Sequence, residues 1–410
     1  MKFSEFIVCD EINQSLKENN YKTPTLIQSK VIKAVFEKVD VIAKAQTGSG
    51  KTASFVLPIL ELFSKQNDSK KAKIKTLVLT PTRELALQIS DTFEIFSKYL
   101  NKKPKIVSLI GGEGISKQLI DVQKGCDIVV ATTGRLIDIL EKKQINLNYL
   151  EFFILDEADK MLDFGFEEEL DNLLKIIPST RQNLLFSATY PDKVKNIISR
   201  ITQNPVYISI EEPPVVENIN QRVILVNKEK KSLLLRELIS ENKWDKILVF
   251  VANKRSCDNI AFKFRKNGLN AISFHSDLTQ EERNNTLKNF KENKINILFA
   301  TDIVSRGIHV EDISCVINFD LPRASEDYIH RIGRTARAGK TGVAISFIGL
   351  EDFEHFSLIE KRCNISIKKE QIKDFELIGS PVKKEKGLAP IKGKRKSKKD
   401  KLRELAKKDA

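Results

Sequence analysis

The chain has 410 residues, of which 41% are hydrophobic, with a net charge of +14 and a pI near 9.3. This length suits two or three domains with sizeable cores, and no apolar run approaches the roughly 20 residues that a bilayer-spanning helix requires. The five cysteines share no Cys-x-x-Cys spacing, which argues against a zinc site or a disulfide framework. The segment Met1–Phe6 lacks a signal-peptide hydrophobic block, so a cytoplasmic protein is expected. The basic balance favours a polyanionic partner, most simply nucleic acid. Its distribution is uneven: from Ser380 onward there are 13 Lys and Arg against 4 Asp and Glu, so +9 lies in the last 31 residues and only +5 in the body.

In chain order, short apolar runs rich in β-branched residues recur at Val39–Ala43, Thr76–Leu79, Ile106–Leu109, Ile128–Ala131, Phe152–Leu155 and Leu184–Phe186. Amphipathic helical patterns fill the intervals, which predicts a parallel sheet covered on both faces. Residues 211–218 (Glu-Glu-Pro-Pro-Val-Val-Glu-Asn) then carry two prolines that exclude helix and hinder strand pairing. The theme returns at Ile247–Val251, Ala271–Phe274, Ile297–Ala300, Val316–Phe319 and Val343–Phe347. The expected class is α/β, with a first domain over 1–210, a linker at 211–219, a second domain over 220–375 and a basic, disordered tail over 376–410.

The polar signatures sit just after these runs, at the strand ends where open parallel sheets bind ligands. Ala45-Gln46-Thr47-Gly48-Ser49-Gly50-Lys51-Thr52 reads as a phosphate-binding loop, although Ala45 stands where the general pattern has glycine. Gly48 and Gly50 let backbone N–H groups converge on phosphate oxygens, Lys51 meets the β- and γ-phosphates, and Thr52 offers a hydroxyl to Mg²⁺. Asp156-Glu157 follows the run Phe152–Leu155. There Asp156 suits Mg²⁺, through water, and Glu157 suits the attacking water, while a plain helix cap is the alternative. Arg334 and Arg337 share a helix face, an arrangement that suits the transition-state charge of a γ-phosphoryl group.

Asp156-Glu157-Ala158-Asp159 is also the name-giving motif of the DEAD-box ATP-dependent RNA helicases of superfamily 2, and the rest of the chain resembles that family in order. Phe3 and the stretch from Tyr21 through Thr23 to Gln28 look like its adenine-reading motif. Pro81-Thr82-Arg83, Gly111-Gly112, and Thr132, Gly134 and Arg135 are similar to its first-domain RNA-backbone motifs. Ser187-Ala188-Thr189 resembles the motif that couples hydrolysis to unwinding. Arg283, Thr301 with Asp302, Gly307, and the His330–Arg337 stretch resemble its second-domain motifs. The resemblance covers about residues 1–350 and implies two tandem RecA-like domains, ATP and Mg²⁺ as cofactors, and RNA as partner. By that resemblance Arg283, Thr301 and Asp302 join the RNA site, Gly307 and His309 the nucleotide site, and His330 a coupling role. Compact length and a lysine-rich tail suggest the bacterial RhlE-like group. Glycine, threonine and arginine suit phosphates and sugars rather than base edges, so binding without sequence preference is expected. Two other readings, an ATP-gated RNA clamp and a DNA translocase, are separated from this one by a strand-displacement assay and by comparing RNA with DNA as ATPase stimulants.

Two predictions arise here. Deleting residues 380–410 should weaken RNA binding and flatten its salt dependence, the log–log slope falling by about 0.7 per lost phosphate contact on single strands; ATPase at saturating RNA should survive. His309 stands where the family has an aspartate that contacts the ribose hydroxyls. A carboxylate accepts from two hydroxyls at once, whereas a neutral imidazole has one acceptor. His309→Asp should therefore lower the KM for ATP in the presence of RNA and enlarge the penalty for 2′- and 3′-deoxy-ATP, both read from steady-state ATPase rates.

Overall fold

The computed structural model describes residues 2–45, 49–66, 72–210, 218–302, 310, 313–336 and 341–380. Gln46, Thr47, Gly48, Gly307, His309 and Arg337 lie outside the described residues, as do 211–217 of the expected linker and 381–410 of the expected tail.

The first half forms strands β1 (Val41–Lys44), β2 (Thr76–Thr80), β3 (Ile106–Leu109), β4 (Ile128–Thr132), β5 (Phe152–Leu155), β6 (Gln182–Ser187) and β7 (Val206–Ser209). They build one parallel sheet in the order β3-β4-β2-β5-β6-β1-β7. The second half forms β8 (Ile219–Leu225), β9 (Ile247–Phe250), β10 (Ala271–Phe274), β11 (Ile297–Ala300), β12 (Cys315–Asn318), β13 (Gly342–Ile348) and β14 (Lys369–Gln371). Their order, β10-β11-β9-β12-β13-β8-β14, repeats the first sheet strand for strand, and every pairing is again parallel. One topology has been used twice.

Helices cover both faces because the central strands are apolar on both. In the first domain α1 (Asp10–Glu18), α2 (Leu26–Phe36), α3 (Lys51–Ser64) and α4 (Arg83–Phe96) bury a cluster that includes Val31, Phe55, Phe93, Val130 and Phe186. On the other face α5 (Ile115–Gln123), α6 (Thr133–Glu141), α7 (Ala158–Asp163), α8 (Glu167–Leu174) and α9 (Asp192–Ile201) bury Leu77, Val129, Phe153, Met161 and Ile197. The second domain repeats the sandwich with α10 (Lys231–Glu241), α11 (Lys254–Lys266), α12 (Gln280–Lys291), α13 (Glu326–Ile332) and α14 (Phe353–Cys363). Each fully buried Leu, Ile, Val or Phe contributes about 1.5–3 kcal/mol, so two complete cores exist and no hydrophobic cluster among the described residues joins them. Past the second sheet the chain stays attached as far as Ile378, whose N–H donates to Asn227 Oδ1 at 2.9 Å.

A buried acid fastens the edge of the first sheet opposite the strand ends that carry the motifs. Asp40, 7% exposed, accepts from the Asn183 backbone N–H (2.7 Å), from Asn183 Nδ2 (3.0 Å) and from the Gln203 N–H (2.8 Å), tying together the approaches to β1, β6 and β7. Asp40→Ala strands three donors, and hydrogen bonds to a charged acceptor contribute about 1.5–3 kcal/mol each at most. The expected result is a loss of about 3 kcal/mol in the denaturant transition of the first domain, with the transition of the second domain unmoved, monitored by the near-ultraviolet signal of Trp244 against total helicity.

Candidate functional site

In a parallel sheet all the strands end on one edge. There, in the first domain, β1 leads to Gly50, which caps α3 with a left-handed φ of 92°. A Cβ at Gly50 would lie 2.5 Å from Gln28 Nε2, so only glycine fits. Gln28 is itself fully engaged in structure: its Oε1 accepts the Thr25 N–H at 2.8 Å in the capping box of α2, and its Nε2 donates to the Gly50 carbonyl at 3.2 Å. Thr25 Oγ1 adds a bond to the Ser49 carbonyl at 3.0 Å. The start of α2 is thus bolted to the loop. Phe3 is buried in the first-domain core with its ring 6.2 Å from Tyr21; Tyr21, 38% exposed, is the more accessible ring, and Thr23 is exposed.

Lys51, 8% exposed, folds back so that its Nζ donates to the Ala45 carbonyl at 3.0 Å. Beyond the end of β5 lie Asp156, 2% exposed, and Glu157, which caps α7 with a left-handed φ of 53°. Such a conformation costs a non-glycine residue of order 1–3 kcal/mol and marks functional sites. The Glu157 N–H donates to Asp156 Oδ1 at 2.9 Å, while Glu157 Oε2 is buried with no hydrogen-bond partner. Burial pushes both carboxyls above the usual carboxylate range; Asp156 raises Glu157 further, and the Lys51 ammonium opposes the shift in both. Two adjacent carboxylates, with one buried Glu157 oxygen lacking a partner, form an oxygen donor set that fits Mg²⁺. Further along the edge, Asp159 Oδ2 accepts from the Thr189 N–H (3.1 Å) and Oγ1 (2.8 Å), and Ser187 Oγ donates to the Thr189 carbonyl at 2.7 Å. These bonds join the ends of β5 and β6.

The second domain reaches this edge through α13. Lys51, Glu157, Asp159, Lys160 and Ala188 from the first domain and His330 and Arg334 from the second line one cavity of about 20 Å³. That is room for about one water molecule. Arg334 is 5% exposed and its charge counters the upward shift of Glu157. Arg331, which the sequence reading passed over, anchors α13 from behind. It bonds Asp302 through Nε (2.6 Å) and Nη2 (2.7 Å), and through Nη1 it reaches Asn318 Oδ1 (3.0 Å) and the Asp320 carbonyl (2.6 Å). Asp302 therefore serves this bidentate pair, and Thr301 beside it is buried.

A second surface lies along the ends of β2, β3 and β4. Thr82 caps α4, accepting the Leu85 N–H at 3.4 Å, with Pro81 just before it. Thr132 caps the start of α6, followed by the exposed Gly134. The Arg83 guanidinium lies 3.4 Å from where a Cβ at Gly111 would sit, and closer still at Gly112, whose φ is 80°. Arg135 bonds Gln118 Oε1 (3.0 Å) and the Glu113 carbonyl (2.9 Å). Two helix N-termini and two arginines thus face one side, an arrangement that suits anions. Arg283 is buried and paired with Glu84 across the domain boundary, a partner 199 residues away that no local pattern marks. Among the described residues no helix is long and apolar enough to cross a membrane.

The sequence matches the DEAD/DEAH box helicase family over residues 25–197 and the helicase conserved C-terminal domain over residues 229–339. The ATP-dependent RNA helicase RhlB of Pseudomonas putida is 38% identical over 91% of this chain and 95% of its own length. Dbp5 of Saccharomyces cerevisiae bound to RNA and ADP–BeF3 superposes with a TM-score of 0.80 at 28% identity, covering 91% of this chain and 96% of its own. A Dbp5 variant bound to Nup159, Gle1, IP6 and ADP reaches only 0.61 at the same identity, over 89% and 96%. Taken with the duplicated parallel sheet and the cavity where the two halves meet, these matches establish that the chain belongs to the DEAD-box ATP-dependent RNA helicases.

Proposed function

We propose that this enzyme binds RNA backbone without sequence preference and unwinds short duplexes when ATP draws its two domains together. The observation that carries the reading is the single cavity lined by Lys51 and Glu157 from one domain and by Arg334 and His330 from the other. The higher TM-score against Dbp5 held with RNA and ADP–BeF3 than against the Dbp5 variant held with Nup159, Gle1, IP6 and ADP supports the same domain arrangement.

Ala45, Gln46, Thr47, Gly48, Ser49 and Gly50 would wrap the phosphates, and Lys51 would leave the Ala45 carbonyl for the γ-phosphate. Thr52 and Asp156 would hold Mg²⁺, which neutralises phosphate charge when bound. Glu157 orients the attacking water and accepts its proton, which the upward-shifted carboxyl favours. Arg334, with Arg337, stabilises the charge that develops on the γ-phosphoryl group, so hydrolysis requires the second domain. Tyr21, Thr23, Gln28 and Phe3 frame the adenine side, and Gly307 and His309 the ribose side. Asp159 passes the state of the phosphate site to Ser187-Ala188-Thr189, while His330 reads it from across the cleft. Pro81, Thr82, Arg83, Gly111, Gly112, Thr132, Gly134 and Arg135 would follow one RNA strand, with Arg283, Thr301 and Asp302 on the facing domain. Closure then works as differential affinity: ATP and RNA both prefer the closed state and so favour each other. The lysine-rich tail adds sequence-independent attraction to RNA and, with the compact length, motivates an RhlE-like placement.

Glu157→Gln separates chemistry from binding. Its shape is kept and the water-orienting carboxylate is lost, so RNA-stimulated turnover should fall by ~10²-fold or more while ATP still binds. The nucleotide-free protein should become more stable. A carboxyl raised above its unfolded value contributes stability below the unfolded pKa and loses it as pH rises through the folded pKa. Removing the charge should therefore raise the Tm of the first domain by about 2–4 °C, for a gain of about 1 kcal/mol, and more at pH 8 than at pH 5. Calorimetry in EDTA checks the stability, and phosphate release checks the turnover.

A further inference from the structure

The helix that carries His330 and Arg334 is gripped from the first domain at one further point. Lys160, the residue after the Asp-Glu-Ala-Asp stretch, is 7% exposed, and its Nζ lies 3.1 Å from Asp327 Oδ1 of α13. Asp327 is also 7% exposed, and the same Oδ1 lies 3.6 Å from His330 Nδ1. Asp327, His330 and Arg331 lie within α13, and Arg334 follows in the turn just past its end at Ile332, its N–H bonded to the Arg331 carbonyl at 3.1 Å.

We propose that Lys160 is a positioning residue: by pairing with Asp327 on closure it sets the angle of α13 and so delivers Arg334 to Glu157 and Lys51. The proposal rests on the closure reading above. Lys160 has a second acid within reach on its own helix, Asp163 at 3.7 Å, whose side chain is 58% exposed. When the domains part, Lys160 keeps Asp163 and Asp327 gains solvent, so neither charge is left buried and unpaired. The exchange of Asp163 for Asp327 therefore discriminates geometry without blocking release. Arg331 makes the device rigid, since its four bonds hold α13 to the second domain, so a pull at Asp327 is a pull on the whole domain.

The test uses the full chain with a donor and an acceptor dye, one on each domain. The fraction closed is read at subsaturating RNA with ADP–BeF3, alongside kcat and the KM for RNA. Lys160→Met should lower the closed fraction and raise the KM for RNA roughly tenfold, the size typical of coupling between contacting residues. The kcat at saturating RNA should fall less, and Lys160→Arg should recover most of the closure. Asp327→Asn, on the other domain, should reproduce the defect, and the double variant should be no worse than either single one. Wild-type closure and KM in both single variants, a loss that Lys160→Arg does not recover, or fully additive losses in the double variant would overturn the proposal. A wild-type protein that neither closes nor is stimulated by RNA would instead overturn the closure reading and the proposal with it.

Discussion

Everything polar in this molecule is organised by one constraint: a parallel sheet delivers every strand end to the same edge. Two such edges face each other, and the groups that collect there are mutually repulsive. Asp156 is buried beside the partly buried Glu157, with Lys51 opposing the charge of both. The left-handed backbone at Glu157 adds strain. The site is therefore stable only because two full cores support it, and it is poised to accept positive charge from outside: from a metal ion, from phosphate-bound cations, or from the arginine of the facing domain.

That facing domain meets the first through charge rather than through grease. The described hydrophobic clusters stay within one half or the other. Among the described residues, the ion pairs that cross join Lys160 with Asp327 and Arg283 with Glu84, both nearly dry. Dry ion pairs contribute little net stability but are intolerant of misalignment. An interface held this way is sensitive to the relative placement of the two halves. The groove beside it, between α4 and α12, carries Asp91 and Lys291, one from each half.

How much of this could be read beforehand depended on whether a residue's neighbours are local. The runs Ile106–Leu109, Phe152–Leu155, Ala271–Phe274 and Ile297–Ala300 coincide with β3, β5, β10 and β11, since buried strands leave a continuous apolar trace. Three strands left no such trace. Strands β7 and β14 are short edges with exposed positions, and β8 carries Asn220, Gln221 and Arg222 where an apolar run was sought. The phosphate loop and the Asp-Glu-Ala-Asp stretch announce themselves because their chemistry is consecutive in the chain. Asp40, Lys160, Asp327 and Arg331 do not, because each gains its meaning from a partner far away in sequence. Arg331 sits three residues before Arg334, yet nothing local says it faces inward.

The duplicated sheet has a consequence for how the protein is made. All seven strands of the first sheet precede residue 210, and no described hydrophobic cluster waits for anything later. The first domain can therefore fold on the ribosome while the second is still being translated, as N-terminal domains generally do. During that interval the nascent chain already presents Lys51, Asp156 and Glu157, but Arg334 has not been synthesised. The emerging half carries its own side of the cavity and still lacks the cation that completes it, so the site is assembled only once the second half has been made.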